Sequence, residues 1–159
     1  MIPPALAPAD AAHLERAVRL ALEAEAQGNL PVGAVIALDG RIIAEGASRV
    51  RVPDFHPGRH AETEALRRVP VELWPRAGEM TCYTTLEPCL MCLGALILHR
   101  VGRVVFGARD PLGGAVEVLD HLPAYVAGKA RAIDWVGPAL PAVCDPLCAR
   151  VLRGFEDLP

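Results

Sequence analysis

A chain of 159 residues, 52% hydrophobic and 22% charged, can bury one sizeable core, which excludes a disordered polypeptide. A net charge of -3 excludes a globally basic surface for nucleic acid, but leaves room for a local patch around Arg49, Arg51 and Arg59. No apolar run reaches membrane-spanning length, no secretory leader pattern opens the chain, and five cysteines make an odd number; a single domain over residues 1–159, in the reducing cytoplasm and off the membrane, is expected.

Residues 1–8, rich in Pro and Ala, read as an irregular lead-in. Asp10 is placed to cap a helix that runs to about Gln27 and stops at Gly28, with Leu14, Val18, Ala21 and Leu22 at helical spacing. Val32 to Leu38 has the length and apolarity of a strand, Asp39-Gly40 is a two-residue hairpin turn, and Arg41 to Glu45 returns, ending at Gly46. Residues 47–59 read as a loop, His60 to about Val69 as a helix, and 70–79 as another loop. Met80 to Thr85 is a third strand, Cys89 to Leu98 a helix apolar all round and therefore expected to be buried, and Val101 to Phe106 a fourth strand. A loop over 107–114 follows, then a short helix around Leu119 to Ala127 interrupted by Pro123, and a strand over Arg131 to Trp135. A last helix is capped by Asp145, with Pro146 in its first turn, and reaches about Leu152. This alternation predicts a mixed sheet between helix layers.

The stretch from His60 to Cys92 carries the chemistry. His60, Cys89 and Cys92 supply one imidazole and two thiols, the last two at CxxC spacing. Three ligands leave a tetrahedral zinc one open position, which is the layout of a catalytic site. Glu62, two residues beyond His60, is a carboxylate placed to move protons beside such a metal. Helix starts at His60 and Cys89 favour the thiolate that zinc needs, and Cys89 and Cys92, three apart, point to one side of their helix.

Two blander readings compete. A structural zinc site needs a fourth ligand, for which Cys82, Cys144, Cys148, His56 and His99 are candidates; Cys82, Cys144 and Cys148 read better as small core residues. A redox CxxC wants a thioredoxin-like context with no His-x-Glu beside it. Trp74 and Trp135 read as core anchors more readily than as base-stacking platforms.

These residues resemble the cytidine/deoxycytidylate deaminase superfamily, zinc enzymes acting on nucleobases, and within it the branch of bacterial tRNA adenosine deaminases and guanine deaminases. The likeness is carried by Leu30-Pro31-Val32-Gly33-Ala34-Val35, His60-Ala61-Glu62, Thr85-Leu86-Glu87-Pro88-Cys89 with Met91-Cys92, and Arg103 through Asp110. It implies a three-layer α/β/α cytidine-deaminase-like fold, a five-stranded sheet in the order 2-1-3-4-5, and a homodimer. It also implies zinc on His60, Cys89 and Cys92, and Glu62 as proton carrier for hydrolytic loss of ammonia from an aromatic amidine carbon. Backbone N–H groups near Ala61 and Cys89 would help to fix the base or its developing charge.

Two features depart from that family. Where it carries a substrate-contacting Asn after the second strand, this chain has Ser48 and Arg49, either of which could meet substrate, a carboxylate or phosphate at Arg49 included. The C-terminus, ending Glu156-Asp157-Leu158-Pro159, is acidic where RNA-acting members are basic. The sequence therefore favours a free base, nucleoside or similar small amino-heterocycle as substrate. A tRNA adenosine is the alternative, and a catalytically inactive zinc-stabilised interaction module is the reading of another class.

Overall fold

The computed structural model describes residues 6–158. Most of the predicted lead-in, residues 1–5, lies outside them. Helix α1, Pro8–Ala26, starts earlier than the sequence predicts, with Ala7 as its N-cap and Pro8 in its first turn. Proline suits that place, because its missing N–H would have no helical partner there. Asp10 is not a cap: its carboxylate accepts hydrogen bonds from the Tyr83 hydroxyl at 2.6 Å and from Arg103 Nη1 at 2.8 Å.

Strand β1, Gly33–Leu38, and strand β2, Arg41–Ala47, form the predicted hairpin. Asp39 and Gly40 between them have φ of 52° and 73°, the left-handed pair that a tight hairpin turn demands. β2 does not end at Gly46 but runs through it. Helix α2, Ala61–Leu66, crosses so closely there that a Cβ on Gly46 would lie 2.1 Å from the Ala61 carbonyl oxygen. Only glycine lets strand and helix approach this far.

β1 pairs antiparallel with β2 and with β3, Thr81–Leu86; β3 pairs in parallel with β4, Arg103–Ala108, and β4 with β5, Asp134–Val136. The sheet order is β2-β1-β3-β4-β5, as the resemblance implies. Strand periodicity sorts the side chains into two cores. Ala34, Ile36, Cys82 and Val104 pack under α2 and under α3, Leu90–Leu98. Val35, Ala37, Tyr83 and Val105 pack on the opposite face against Leu14 and Leu20 of α1. On that same side α5, Pro141–Phe155, covers Leu30, Leu86 and Ala108 with Cys144, Cys148 and Val151. The result is the expected three layers.

Several boundaries move. α2 stops at Leu66, and the chain turns before Pro70, which disfavours helix in the residue ahead of it. The predicted loop over 70–79 contains a 3-10 segment, Val71–Glu79, broken at Arg76. α3 is not buried all round: Leu90, Met91 and Leu98 are exposed. The single helix expected at 119–127 divides at Pro123 into a 3-10 segment, Val116–His121, and α4, Ala124–Ala130. α5 begins at Pro141, with Pro146 inside it, and continues through Gly154 to Phe155. Among the described residues, no helix is long and apolar enough to cross a membrane.

Candidate active site

His60 and Cys89 are the N-cap residues of α2 and α3, both with extended backbone. The sheet order brings the two helix starts together, and Cys92 follows one turn into α3. His60 Nδ1 lies 3.5 Å from Cys89 Sγ and 3.6 Å from Cys92 Sγ. A tetrahedral zinc with Zn–N of about 2.0–2.1 Å and Zn–S of about 2.3 Å needs N···S edges of about 3.6 Å. Both N···S edges therefore match a tetrahedral zinc. All three ligand atoms lie within 4.8 Å of one another, and among the described residues no other His, Cys, Asp or Glu joins them. Cys82, Cys144 and Cys148 are buried free thiols elsewhere in the core, as expected. Neither they nor His56 and His99 complete a four-ligand structural site.

The electrostatics prepare a thiolate. The Cys89 thiol is held down to about 4, chiefly by hydrogen bonding from Cys92 and then by His60. The same sharing, with burial, pushes Cys92 up, and contact with Cys89 raises His60.

Glu62 is 3% exposed, and its carboxyl is raised above the usual range by burial. Its two oxygens have different surroundings. Oε1 accepts a hydrogen bond from Thr84 Oγ1 at 2.8 Å. Oε2 lies 3.3 Å from Cys92 Sγ, on the side of the ligand cluster. A carboxylate with one oxygen tethered presents the other in a defined direction, which proton transfer requires.

A cleft of about 430 Å³, counted to its open mouth, adjoins the cluster. His60, Ala61, Glu62, Cys89 and Ser48 line it with Leu30, Val32, Val50, Leu86, Val151 and Phe155. An apolar slot with a few polar groups at one end is the usual form of a small-ligand site. Ser48, 2% exposed, is in the wall, where the sequence expects a substrate contact. Ala61 opens α2, so its N–H is among those a helix leaves without an internal acceptor. Arg49 is exposed and lines a separate groove along β2.

Glu87 and Asp110 also line the cleft, and sequence reasoning assigned neither a role. Glu87 is buried and accepts backbone N–H groups from Asp110 at 3.2 Å and Val116 at 3.1 Å. It thereby folds the loop after β4 over the cleft. Asp110 accepts the N–H groups of Leu112 and Gly113 through Oδ1. Both acids stand inside the stretches carrying the family likeness, and Asp110-Pro111 with Gly113-Gly114 reads as a turn near the pocket rim.

The comparisons with known proteins agree with this geometry. Residues 8–108 match the family model for the cytidine and deoxycytidylate deaminase zinc-binding region. The chain is 41% identical over 115 residues to the tRNA-specific adenosine deaminase of Bacillus subtilis, covering 71% of this chain and 70% of that protein. It is 42% identical over 153 residues to a tRNA(Ile)-lysidine synthase of Deinococcus deserti, covering 89% of this chain but only 26% of that protein. The guanine deaminase of Nitrosomonas europaea superposes with a TM-score of 0.68 at 27% identity, covering 98% of this chain and 88% of that one. With its sheet order, its three zinc-fitting donors and these matches, the chain belongs to the cytidine and deoxycytidylate deaminase family, and it is a zinc-dependent hydrolytic deaminase.

Proposed function

We propose that the chain deaminates adenosine within RNA, a tRNA in particular, to inosine. The observation that carries this reading is the 41% identity, over 70% of its length, to a protein named tRNA-specific adenosine deaminase, supported by the tRNA-related name of the Deinococcus relative. These matches outweigh the acidic C-terminus and Ser48, from which the sequence alone favours a free base or nucleoside.

Zinc on His60, Cys89 and Cys92 would supply the Lewis acidity that makes water a nucleophile near neutral pH. The chain's own groups do the rest. The target base enters the apolar slot between Leu30, Val32 and Val50 on its way to the ligand cluster. Glu62 is the catalytic proton carrier. Thr84 holds Oε1, so Oε2 takes the proton from the attacking water and delivers it to the ring nitrogen of the amidine. The carbon is then tetrahedral, with a new C–O bond. Glu62 next moves the remaining hydroxyl proton to the exocyclic nitrogen, the C–N bond breaks, ammonia leaves and a carbonyl remains. Burial, which raises the Glu62 carboxyl, suits a group that must both accept and donate. The N–H of Ala61, Ser48 and the neighbouring Cys89 backbone orient the base. Exposed Leu90, Met91 and Leu98 on α3 support the homodimer as part of this reading.

A second reading, deamination of free guanine or a related base, rests on the guanine deaminase likeness over 98% of this chain. Ammonia release from free bases, nucleosides and a tRNA anticodon stem-loop separates the two. Turnover of the stem-loop, with little from free bases, is expected; turnover of free bases alone would replace the first reading by the second. Stoichiometric zinc with no turnover of any of them would favour the inactive interaction module.

A further inference from the structure

A second groove, about 1150 Å³ counted to the surface, runs along the edge strand β2 between α1 and α2. Consecutive residues Ile42 through Arg49 line it, and Arg68 closes its side. Ser48 belongs to its wall and to the wall of the catalytic cleft, so the two meet at that residue. Ser48 and Val50 line the cleft and Arg49 between them lines the groove, so the two lie one residue apart.

The charge beside this groove departs from the rest of the molecule. Arg59, Arg67 and Arg68 all bind the one carboxylate of Glu64, each at 3.0 Å. That carboxylate is 2% exposed, whereas the Arg67 and Arg68 side chains are 70% and 46% exposed. A single buried acid thus fixes three cations whose charge it cannot cancel. Arg16 is tied to Glu45 and Glu23, and the Arg49 side chain has no ion pair among the described residues. Leaving out Arg67, which lines a different groove, four guanidinium groups here meet three carboxylates, Glu23 and Glu45 of the groove wall among them, although the chain as a whole has 16 cationic and 19 acidic residues.

We propose that this groove holds the phosphate backbone of the RNA strand next to the adenosine being deaminated, with Arg49 and Arg68 as its phosphate contacts. The inference rests on the RNA reading above. Guanidinium groups suit phosphate because their N–H fork matches two of its oxygens. Anchoring by Glu64 lowers the entropy lost when Arg68 engages.

The test is binding of a fluorescent anticodon stem-loop RNA to the full-length, zinc-loaded protein carrying Glu62→Gln, by anisotropy from 50 to 200 mM salt. Adding Arg49→Gln and Arg68→Gln is expected to weaken binding about tenfold at 50 mM. The slope of log affinity against log salt is expected to become shallower by about 1.4, two single-strand phosphate contacts. Zinc content and melting temperature check the fold. If the double variant misfolds, Arg49→Gln alone should still remove about 0.7 from the slope. An unchanged slope with intact deamination of RNA by the wild type overturns the groove but leaves the RNA reading standing. No RNA binding by the Glu62→Gln parent, with turnover of free bases only by the wild type, overturns both.

Discussion

Thr84 Oγ1 donates to Glu62 Oε1 at 2.8 Å, joining the middle of β3 to the first turn of α2 inside the protein. Thr84 is fully buried, and Glu62 nearly so. The bond fixes which carboxylate oxygen faces the ligand cluster. Thr84→Val keeps the shape and removes the donor. An unsatisfied buried partner costs about 1–3 kcal/mol, and each 1.36 kcal/mol in a barrier is tenfold in rate. A fall in kcat of about 10- to 100-fold is expected, with KM little changed and recovery in Thr84→Ser. Full kcat in the valine variant would remove Thr84 from any positioning role.

The metal and the proton carrier should separate by mutation. Glu62→Gln keeps the size of the side chain and all three zinc donors, so zinc content by mass spectrometry should stay stoichiometric while turnover disappears. Cys92→Ser should lose zinc and turnover together, and should lower the melting temperature, because a metal that binds only the folded chain stabilises it. Retained turnover in the Glu62 variant would assign the proton to another group.

Acid sensitivity should trace in part to Asp10. The Arg103 guanidinium and the Tyr83 hydroxyl hold its carboxyl below the usual range. A depressed carboxylate stabilises the fold fully above its unfolded pKa, about 3.9, and the contribution fades as pH falls through the lower folded value. Arg103 is 31% exposed, so solvent screens part of the interaction. Asp10→Asn is expected to cost about 1–2 kcal/mol at pH 7 and progressively less toward pH 3. Urea denaturation at both pH values checks this; a deficit as large at pH 3 would mean lost packing.

Gly46 should control the site without touching it. A methyl there meets the Ala61 carbonyl at 2.1 Å and the Ala65 nitrogen at 2.4 Å, so Gly46→Ala must push α2 away. Because His60 and Glu62 ride on that helix start, zinc affinity should fall along with stability, the latter by about 1–3 kcal/mol. Calorimetry and zinc titration would show both; normal zinc affinity would mean that the helix yields elsewhere.

Much of this was legible in the residues themselves. The hairpin at Asp39-Gly40 follows from backbone preference, and the three donors from a spacing that two helix starts satisfy locally. The sheet order came from the resemblance, and the structure bears it out. Helix boundaries were less legible wherever proline was ambiguous. Pro8, Pro141 and Pro146 all fit a first turn, but only the first two occupy one. The interruption at Pro123 was visible, but not the clean division it causes.

Sequence by itself determined which atoms can grip a metal and which carboxylate stands beside them, because both depend on residue type and short-range geometry. Tertiary structure alone decided that Asp10 ties two elements together and does not cap a helix, and that Glu62 leans on Thr84. It also decided that Glu87 reaches the cleft, while Arg49 turns to the groove beside β2. Those outcomes follow from which strands are neighbours and which face of the sheet each side chain takes, and partners 22 to 93 residues apart leave no periodicity to read.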